Sequence, residues 1–354
     1  MSGTSADAID AALVDTDGHQ CRVLATHSIT LPETLRNQVL ALCAPGTDEL
    51  DRAGTVQRRL GSLFAQAVRE LLHGSGHRPE QVVAIGCHGQ TVRHRPGREG
   101  FSLQLGSGDV IASETGIPVV TDFRNRDMVL GGQGAPLVPR FHQRLFARAG
   151  ERRTVLNIGG MANVTLLDGE RLATGFDTGP GNVLLDEWCH RHTGKHCDDN
   201  GDWARSGAPL PALLEQLLAE PYFSRLPPKS TGREHFNSRW LSAYLHGDES
   251  AEDVQATLTE LTAMTIARAL ADFAPDRLLV CGGGIHNGLL MERLAVHLPD
   301  AAILSTAEAG LDPDWVEAAA FAWLAWARMT GVPGNAPEVT GASREAVLGA
   351  VYAP

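Results

Sequence analysis

The sequence predicts a mixed α/β protein of two lobes. Strand-like and helix-like stretches alternate along it, and its 354 residues give length for two lobes and a cleft. Three glycine turns are spread across both halves: Ser2-Gly3-Thr4-Ser5, Asn157-Ile158-Gly159-Gly160 and Gly282-Gly283-Gly284. Such a spread fits a nucleotide clamped between lobes, two turns for phosphates and one for the adenosine end.

The elements follow in order. Residues 6–14 are ambiguous: their alanine content favours helix, while Ile9, Ala11 and Leu13 alternate with Asp10, Ala12 and Val14 as in a strand. Residues 50–73 carry Leu60, Leu63, Phe64, Ala67, Val68 and Leu71 at helical spacing and read as an amphipathic helix. Residues 82–85 read as a short buried strand, followed by the polar turn Cys87-His88-Gly89-Gln90-Thr91. Further strands are expected at 101–105 and 117–120. The glycine-rich bend at 131–136 marks the expected boundary, with lobes at 1–130 and 131–354 and a return of the last residues to the first lobe left open.

The second lobe opens with two tight hairpins. The first runs 155–158, turns on Gly159-Gly160 and returns through 163–167. The second turns at Asp168-Gly169, returns through 172–176 and delivers Asp177 into the turn Thr178-Gly179-Pro180-Gly181-Asn182. A helix over 254–273, a buried strand over 277–281, a helix from near His286 or Asn287 and a long helix over 315–329 complete it.

Hydrophobic residues at 43% and charged residues at 20% indicate an ordinary globular chain. A net charge of −12 argues against nucleic acid or an anionic membrane as partner, though not against ATP, whose phosphates are met by local amides and a metal ion. No apolar run approaches the roughly 18 residues of a membrane span. The start, MSGTSADAID, has neither the basic nor the apolar region of a signal peptide. The six cysteines follow no disulfide spacing and read as reduced cytosolic thiols. Cys189, His190, His192, His196 and Cys197 fall within nine residues, too compressed for a zinc site, and are not read as one.

The chemistry points to phosphoryl transfer. Paired glycines let main-chain N–H groups approach a phosphate with no side chain in the way. Asp177, at a strand end, is placed to act as a base, or else to cap the following helix. There is no GxxxxGK[ST] segment, which excludes a P-loop.

The segments MSGTSADAID, CHGQTVRH, TDFRNRD with GGQGAPLVP, NIGGMANVT, FDTGPGN, PPKSTGRE, CGGGIHN and VEAAAFAWLA, in that order, resemble the anhydro-N-acetylmuramic acid kinases over essentially the whole chain. The resemblance implies the two-lobed actin-like ATPase fold, ribonuclease H-like, with a deep interlobe cleft, and it resolves residues 6–14 as strand. It also implies the activity: opening of 1,6-anhydro-N-acetylmuramic acid by water and phosphorylation of its O6 by ATP with Mg²⁺, in a cytoplasmic bacterial homodimer serving peptidoglycan recycling. Asp177 is then the catalytic base. Gly3, Thr4, Ser5, Ala6, Asp7, Ala8, Ile9 and Asp10 cradle phosphates, with Asp7 or Asp10 reaching Mg²⁺ through water. Gly159, Gly160 and Asn163 form the second phosphate hairpin, and Gly282, Gly283 and Gly284 pack against adenosine. His88, Gln90, Thr91 and Glu317 line the sugar site, and Arg124 pairs with the lactyl carboxylate. Lys229 and Arg233 either support the phosphate region or fix a loop.

Relatives carry a few residues ahead of MSGTS that form the first half of the opening strand, so the start is expected upstream of Met1. They have leucine and glycine where Ala6 and Ala8 stand, and a positive φ at Ala8 would be strained. Rival readings are another sugar or acetate-type kinase, a non-catalytic sugar sensor, and a protein-binding ATPase, for which no segment is left over.

Overall fold

The computed structural model describes residues 1–3 and 6–354; the expectations for Thr4 and Ser5 lie outside the described residues. The chain divides into two compact units, Met1–Leu145 with Trp315–Pro354, and Phe146–Asp314.

In the first unit β1 (Ala8–Thr16) and β2 (Cys21–Thr30) pair antiparallel from Ala8 opposite Thr30 to Thr16 opposite Cys21. Cross-strand pairing thus overrides the helix propensity of the alanines. β3 (Ile85–Gly86) runs parallel to β6 (Val119–Thr121), and β12 (Ala350–Tyr352) is antiparallel to β6. β4 (Gln90–Arg95) and β5 (Phe101–Leu105) form a separate hairpin. The helix Glu49–Ser75 ends at Gly76 in the left-handed region (φ 71°), as helix ends favour. It buries Val56, Leu60, Phe64 and Ala67 with Ile9, Ile111 and Val119 in one core.

One strand differs from expectation. Only Ile85 and Gly86 of the 82–86 segment pair, and Val83 is 70% exposed, because the 3-10 turn Pro79–Gln81 takes up the chain immediately before. An apolar cavity of about 410 Å³ lies between β1 and β3, lined by Ala11, Leu13, Phe64, Leu71, Ile85 and Ala322. At its margin Met1 and Asp10 exchange both main-chain hydrogen bonds.

In the second unit β7 (Arg152–Ile158), β8 (Met161–Asp168), β9 (Arg171–Pro180), β10 (Arg277–Cys281) and β11 (Ala302–Ser305) form one sheet in the order β11-β10-β7-β8-β9. β7, β8 and β9 are successively antiparallel, and β10 is parallel to β7 and β11. That order and polarity are the ribonuclease H-like sheet. Leu156, Ile158, Val164 and Phe176 pack against Ala263, Ile266 and Leu270 of the helix Ala251–Leu270 and against Leu290 and Leu294 of Gly288–His297. A second core gathers Trp188, Tyr222, Phe236 and Leu258.

The hairpin turns fall where the sequence predicts, but Asp177 does not lie in a turn. β9 runs on to Pro180 because Gly179 and Pro180 still pair with Ala162 and Met161, across a bulge at Ala162/Asn163. Asp177 is therefore a strand residue opposite Asn163. No helix among the described residues is long and apolar enough to cross a membrane.

Gly86 lies against the main chain of the helix Val316–Thr330, where a Cβ would overlap the Phe321 carbonyl. Gly86→Ala is expected to cost about 1–3 kcal/mol through overpacking, measured as a lower urea midpoint at unchanged slope.

Candidate functional site

In the second unit, main-chain hydrogen bonds bring the glycine segments together. Gly181 N–H donates to Gly160 O (2.9 Å) and Asn182 N–H to Gly159 O (2.8 Å), folding the end of β9 back on the β7–β8 turn. A Cβ on Gly181 would overlap the Gly159 carbonyl, so only glycine permits that approach. Gly282 (φ 79°) and Gly284 pack on the same turn: a Cβ on either would overlap Asn157 Oδ1 or Ile158. Gly283 lies nearby, with Asn182 Nδ2 3.8 Å from its would-be Cβ. Gly159, Gly160, Gly282, Gly283 and Gly284 thus converge from distant parts of the sequence.

The turn itself stays open. Among the described residues, a Cβ on Gly160 would meet nothing nearer than 4.0 Å, and on Gly159 nothing nearer than 3.7 Å. Space rather than packing surrounds these two residues. That is the fit required of a phosphate cradle.

Asp177, Asn163 and Asn157 stand opposite one another on three adjacent antiparallel strands, and so share one face of the sheet. Asp177 Oδ2 accepts the Thr231 N–H at 2.9 Å, which leaves Oδ1 with no protein donor among the described residues. Its main chain is held too: Tyr222 donates its hydroxyl to Asp177 O (2.8 Å), and Asp177 N–H donates to Lys229 O (3.3 Å). Burial pushes the Asp177 carboxyl up to about 6, the Thr231 N–H opposes this, Glu234 adds to it and Lys229 opposes it. The capping role is not realised: the helix Val183–Thr193 has Asn182 at its N-cap, and the Asp177 carboxylate binds Thr231 instead.

Burial lowers the Lys229 ammonium, partly offset by Asp177. Lys229 donates to Tyr222 O (3.4 Å) and Phe223 O (3.3 Å) and lies over the rings of Tyr222 and Phe176. It fixes the loop that carries Thr231.

The first unit assembles a different set. Buried His88 places Nδ1 2.9 Å from Gly89 O and takes Arg124 Nη2 (2.8 Å) and Nε (3.2 Å) at Nε2. An imidazole between a carbonyl and a guanidinium must donate from Nδ1 and accept at Nε2, so it is neutral. Burial, then Arg124, holds its pKa well below the ordinary value. Gln90 accepts from the Ser2 hydroxyl (2.7 Å), and the Thr91 hydroxyl accepts from Gln104 (3.2 Å).

Glu317 lies in the first turn of the helix Val316–Thr330. Its side chain remains reachable by solvent, but displacement of bulk water raises its carboxyl, with Arg124 opposing. Arg124 also donates from Nη1 to Gly134 O (2.8 Å). Three of its five N–H groups are thus engaged, leaving two for a carboxylate.

The opening turn is partly committed to protein contacts. Ala6, not Ala8, is left-handed (φ 52°), and its N–H donates to Gly3 O at 3.1 Å. Ala8 begins β1, and Ile9 points into the core at 1% exposure. Asp7 pairs with Arg36 (2.9 Å), and Asp10 Oδ1 accepts from Ser28 (2.8 Å).

Four partners were not picked out from the sequence: Asn157, Asn182, Thr231 and Asp127. Asn157 and Asn182 lie inside NIGG and DTGPGN, so a polar residue beside paired glycines was the available signal. Thr231 acts through its main chain and left none. Asp127 is fully buried. It accepts Gly134 N–H (2.8 Å), Asn335 Nδ2 (2.9 Å) and the Thr340 hydroxyl (2.8 Å), clamping the residue whose carbonyl holds Arg124. Asp127→Ala would strand two buried donors, the Gly134 N–H and one Asn335 amide N–H, at about 1–3 kcal/mol each, while the Thr340 hydroxyl keeps the Ala336 carbonyl (3.3 Å), and the urea midpoint is expected to fall accordingly.

The whole chain, residues 1–354, matches the family model described as anhydro-N-acetylmuramic acid kinase. An anhydro-N-acetylmuramic acid kinase of Shewanella sp. (strain ANA-3) is 52% identical, covering 99% of this chain and 96% of the relative. That of Shewanella oneidensis is 51% identical over the same shares. Among solved structures, the activator of the 2-hydroxyisocaproyl-CoA dehydratase from Clostridium difficile with bound ADPNP aligns at a TM-score of 0.45 and 13% identity, covering 92% of each chain. The full-length match and the half-identical relatives establish that this chain belongs to the anhydro-N-acetylmuramic acid kinase family.

Proposed function

We propose that the chain is an ATP-dependent kinase that opens the 1,6-anhydro bridge of 1,6-anhydro-N-acetylmuramic acid with water and phosphorylates O6. The products are N-acetylmuramic acid 6-phosphate and ADP. Within the family established above, the observation that carries the mechanism is the Asp177 carboxyl: raised to about 6, held at one oxygen by Thr231 and open at the other. Above that pH it is a carboxylate whose basicity suits proton abstraction near neutrality.

Asp177 takes the proton of a water that attacks C1. The C1–O6 bond breaks with its electron pair on O6, and O6 takes the terminal phosphoryl of ATP as ADP departs. Inverting glycoside hydrolysis ordinarily needs an acid to protonate the leaving oxygen. Here phosphoryl capture replaces that proton.

The open Gly159-Gly160 turn supports a phosphate-binding role, and Gly282, Gly283 and Gly284 beside it support the adenosine end. Mg²⁺ supplies charge neutralisation when bound with the nucleotide. Asp7 and Asp10, each with a protein partner, would reach it through water. Neutral His88 with Gln90, Thr91 and Glu317 suits sugar hydroxyls. The two remaining N–H groups of Arg124 suit the lactyl carboxylate. The family resemblance further supports a homodimer acting on wall-turnover products in the bacterial cytoplasm.

The test is mass spectrometry of 1,6-anhydro-N-acetylmuramic acid incubated with the protein, ATP and Mg²⁺ in ¹⁸O-water. One added phosphate and one labelled oxygen at C1 are expected; an unchanged sugar with the wild-type chain would sink the proposal. Asp177→Asn is expected to lower kcat about 10²–10⁴-fold. Because the folded carboxyl titrates above its unfolded value, its favourable contribution to stability is complete below the unfolded pKa and lost as pH rises through about 6. The same variant should therefore melt higher than wild type at neutral pH. The kcat/KM of the wild type is expected to fall with acid along a single limb centred near 6, a profile that a base with an ordinary carboxylate pKa would not give.

A further inference from the structure

We infer that Arg233 binds the phosphoryl group in transit, an inference that rests on the kinase reading above. Arg233 lies two residues beyond Thr231, on the loop that fixes the Asp177 carboxylate. Among the described residues its Nη2 is the atom nearest to where a Cβ on Gly160 would stand, at 4.0 Å. The guanidinium therefore overlooks the open glycine turn. Among the described residues, the Gly160 N–H donates to no protein acceptor.

Arg233 is uncommitted. Among the described residues its Nε is buried without a hydrogen-bond partner, and so is the Thr231 hydroxyl on the same loop. Among the described residues no carboxylate stands within ion-pair distance of it. Acidic residues outnumber basic ones 42 to 30 in this chain, and the guanidinium groups of buried Arg140 and half-buried Arg153 have found carboxylates: Arg140 pairs with Glu338 and Glu345, and Arg153 with Glu151. A buried donor on a cation with no acceptor is unfavourable unless an anion arrives.

The loop does not need this guanidinium for its shape. Asn237 Nδ2 donates to the Arg233 carbonyl (2.8 Å), and His235 and Phe236 donate their N–H groups to Gly232 O. The ligand chemistry that fits is a tetrahedral phosphoryl oxyanion, met by the planar fork of the guanidinium on one side and the Gly160 amide on the other. As the bond from phosphorus to ADP breaks and the bond to O6 forms, Arg233 neutralises charge on the non-bridging oxygens.

The test is steady-state kinetics of Arg233→Met and Arg233→Lys beside wild type, with ATP, Mg²⁺ and the anhydro sugar, repeated with added guanidinium chloride at millimolar concentration. Arg233→Met is expected to lose about 10²–10³-fold in kcat with little change in KM for the sugar. Arg233→Lys should keep part of the rate, and free guanidinium should restore part of it to the methionine variant. The acid limb near 6 should stay in place in both variants. A methionine variant within threefold of wild type would overturn the inference. So would a slow variant whose acid limb moves and that guanidinium does not rescue, since that is the behaviour of a loop-fixing residue. An inert wild type in the same assay would instead remove the kinase reading, and this inference with it.

Discussion

Two main-chain hydrogen bonds, from Gly181 and Asn182 back to the carbonyls of Gly160 and Gly159, hold the second unit's chemistry in one place. They require that no side chain intervene, and Gly181 meets that requirement against the Gly159 carbonyl. Once the end of β9 is folded on the β7–β8 turn, Gly282 and Gly284 can settle against Asn157 and Ile158. Residues more than a hundred positions apart then surround one open turn. The sheet supports this close approach: five strands fixed by ladder bonds and two helices packed on them hold the turn in place.

The same sheet sets the basicity of Asp177. A carboxylate at the mouth of a loop would be solvated and titrate as an ordinary acid. As a strand residue it is instead shielded from water, so its charged form is disfavoured, and a single N–H from Thr231 compensates only in part. Thr231 itself is held by a loop tied down through Lys229 and Asn237. Basicity therefore depends on loop placement as much as on the aspartate.

The first unit uses a comparable device for a neutral group. His88 can remain an uncharged imidazole because burial disfavours the cation and Arg124 fills its acceptor nitrogen. Arg124 is in turn fixed by the Gly134 carbonyl, and Gly134 by fully buried Asp127. Asn335 and Thr340 complete that clamp from the end of the chain. The last forty residues thus contribute to the placement of a guanidinium in the first half of the sequence.

Much of this was legible without coordinates, because it is written in local chemistry. Periodic apolar spacing located the helix Glu49–Ser75, and paired glycines with Asp168-Gly169 located the two hairpins. The ordered motifs singled out the family, Asp177 and the three glycine turns. Propensity could not decide whether residues 6–14 were helix or strand, and it overextended the strand before Gly86. Those outcomes depend on what the segment pairs with, which one-dimensional pattern does not carry. Thr231 acts through a main-chain N–H that any residue but proline would supply, so its side chain advertises nothing. Asp127 resembles any charged residue of a polar loop until Gly134, Asn335 and Thr340 are brought around it. Residue types and spacing determined the elements and the chemical groups available; only tertiary structure decided which groups lost their water and which found partners, because desolvation and hydrogen bonding depend on neighbours distant in the chain.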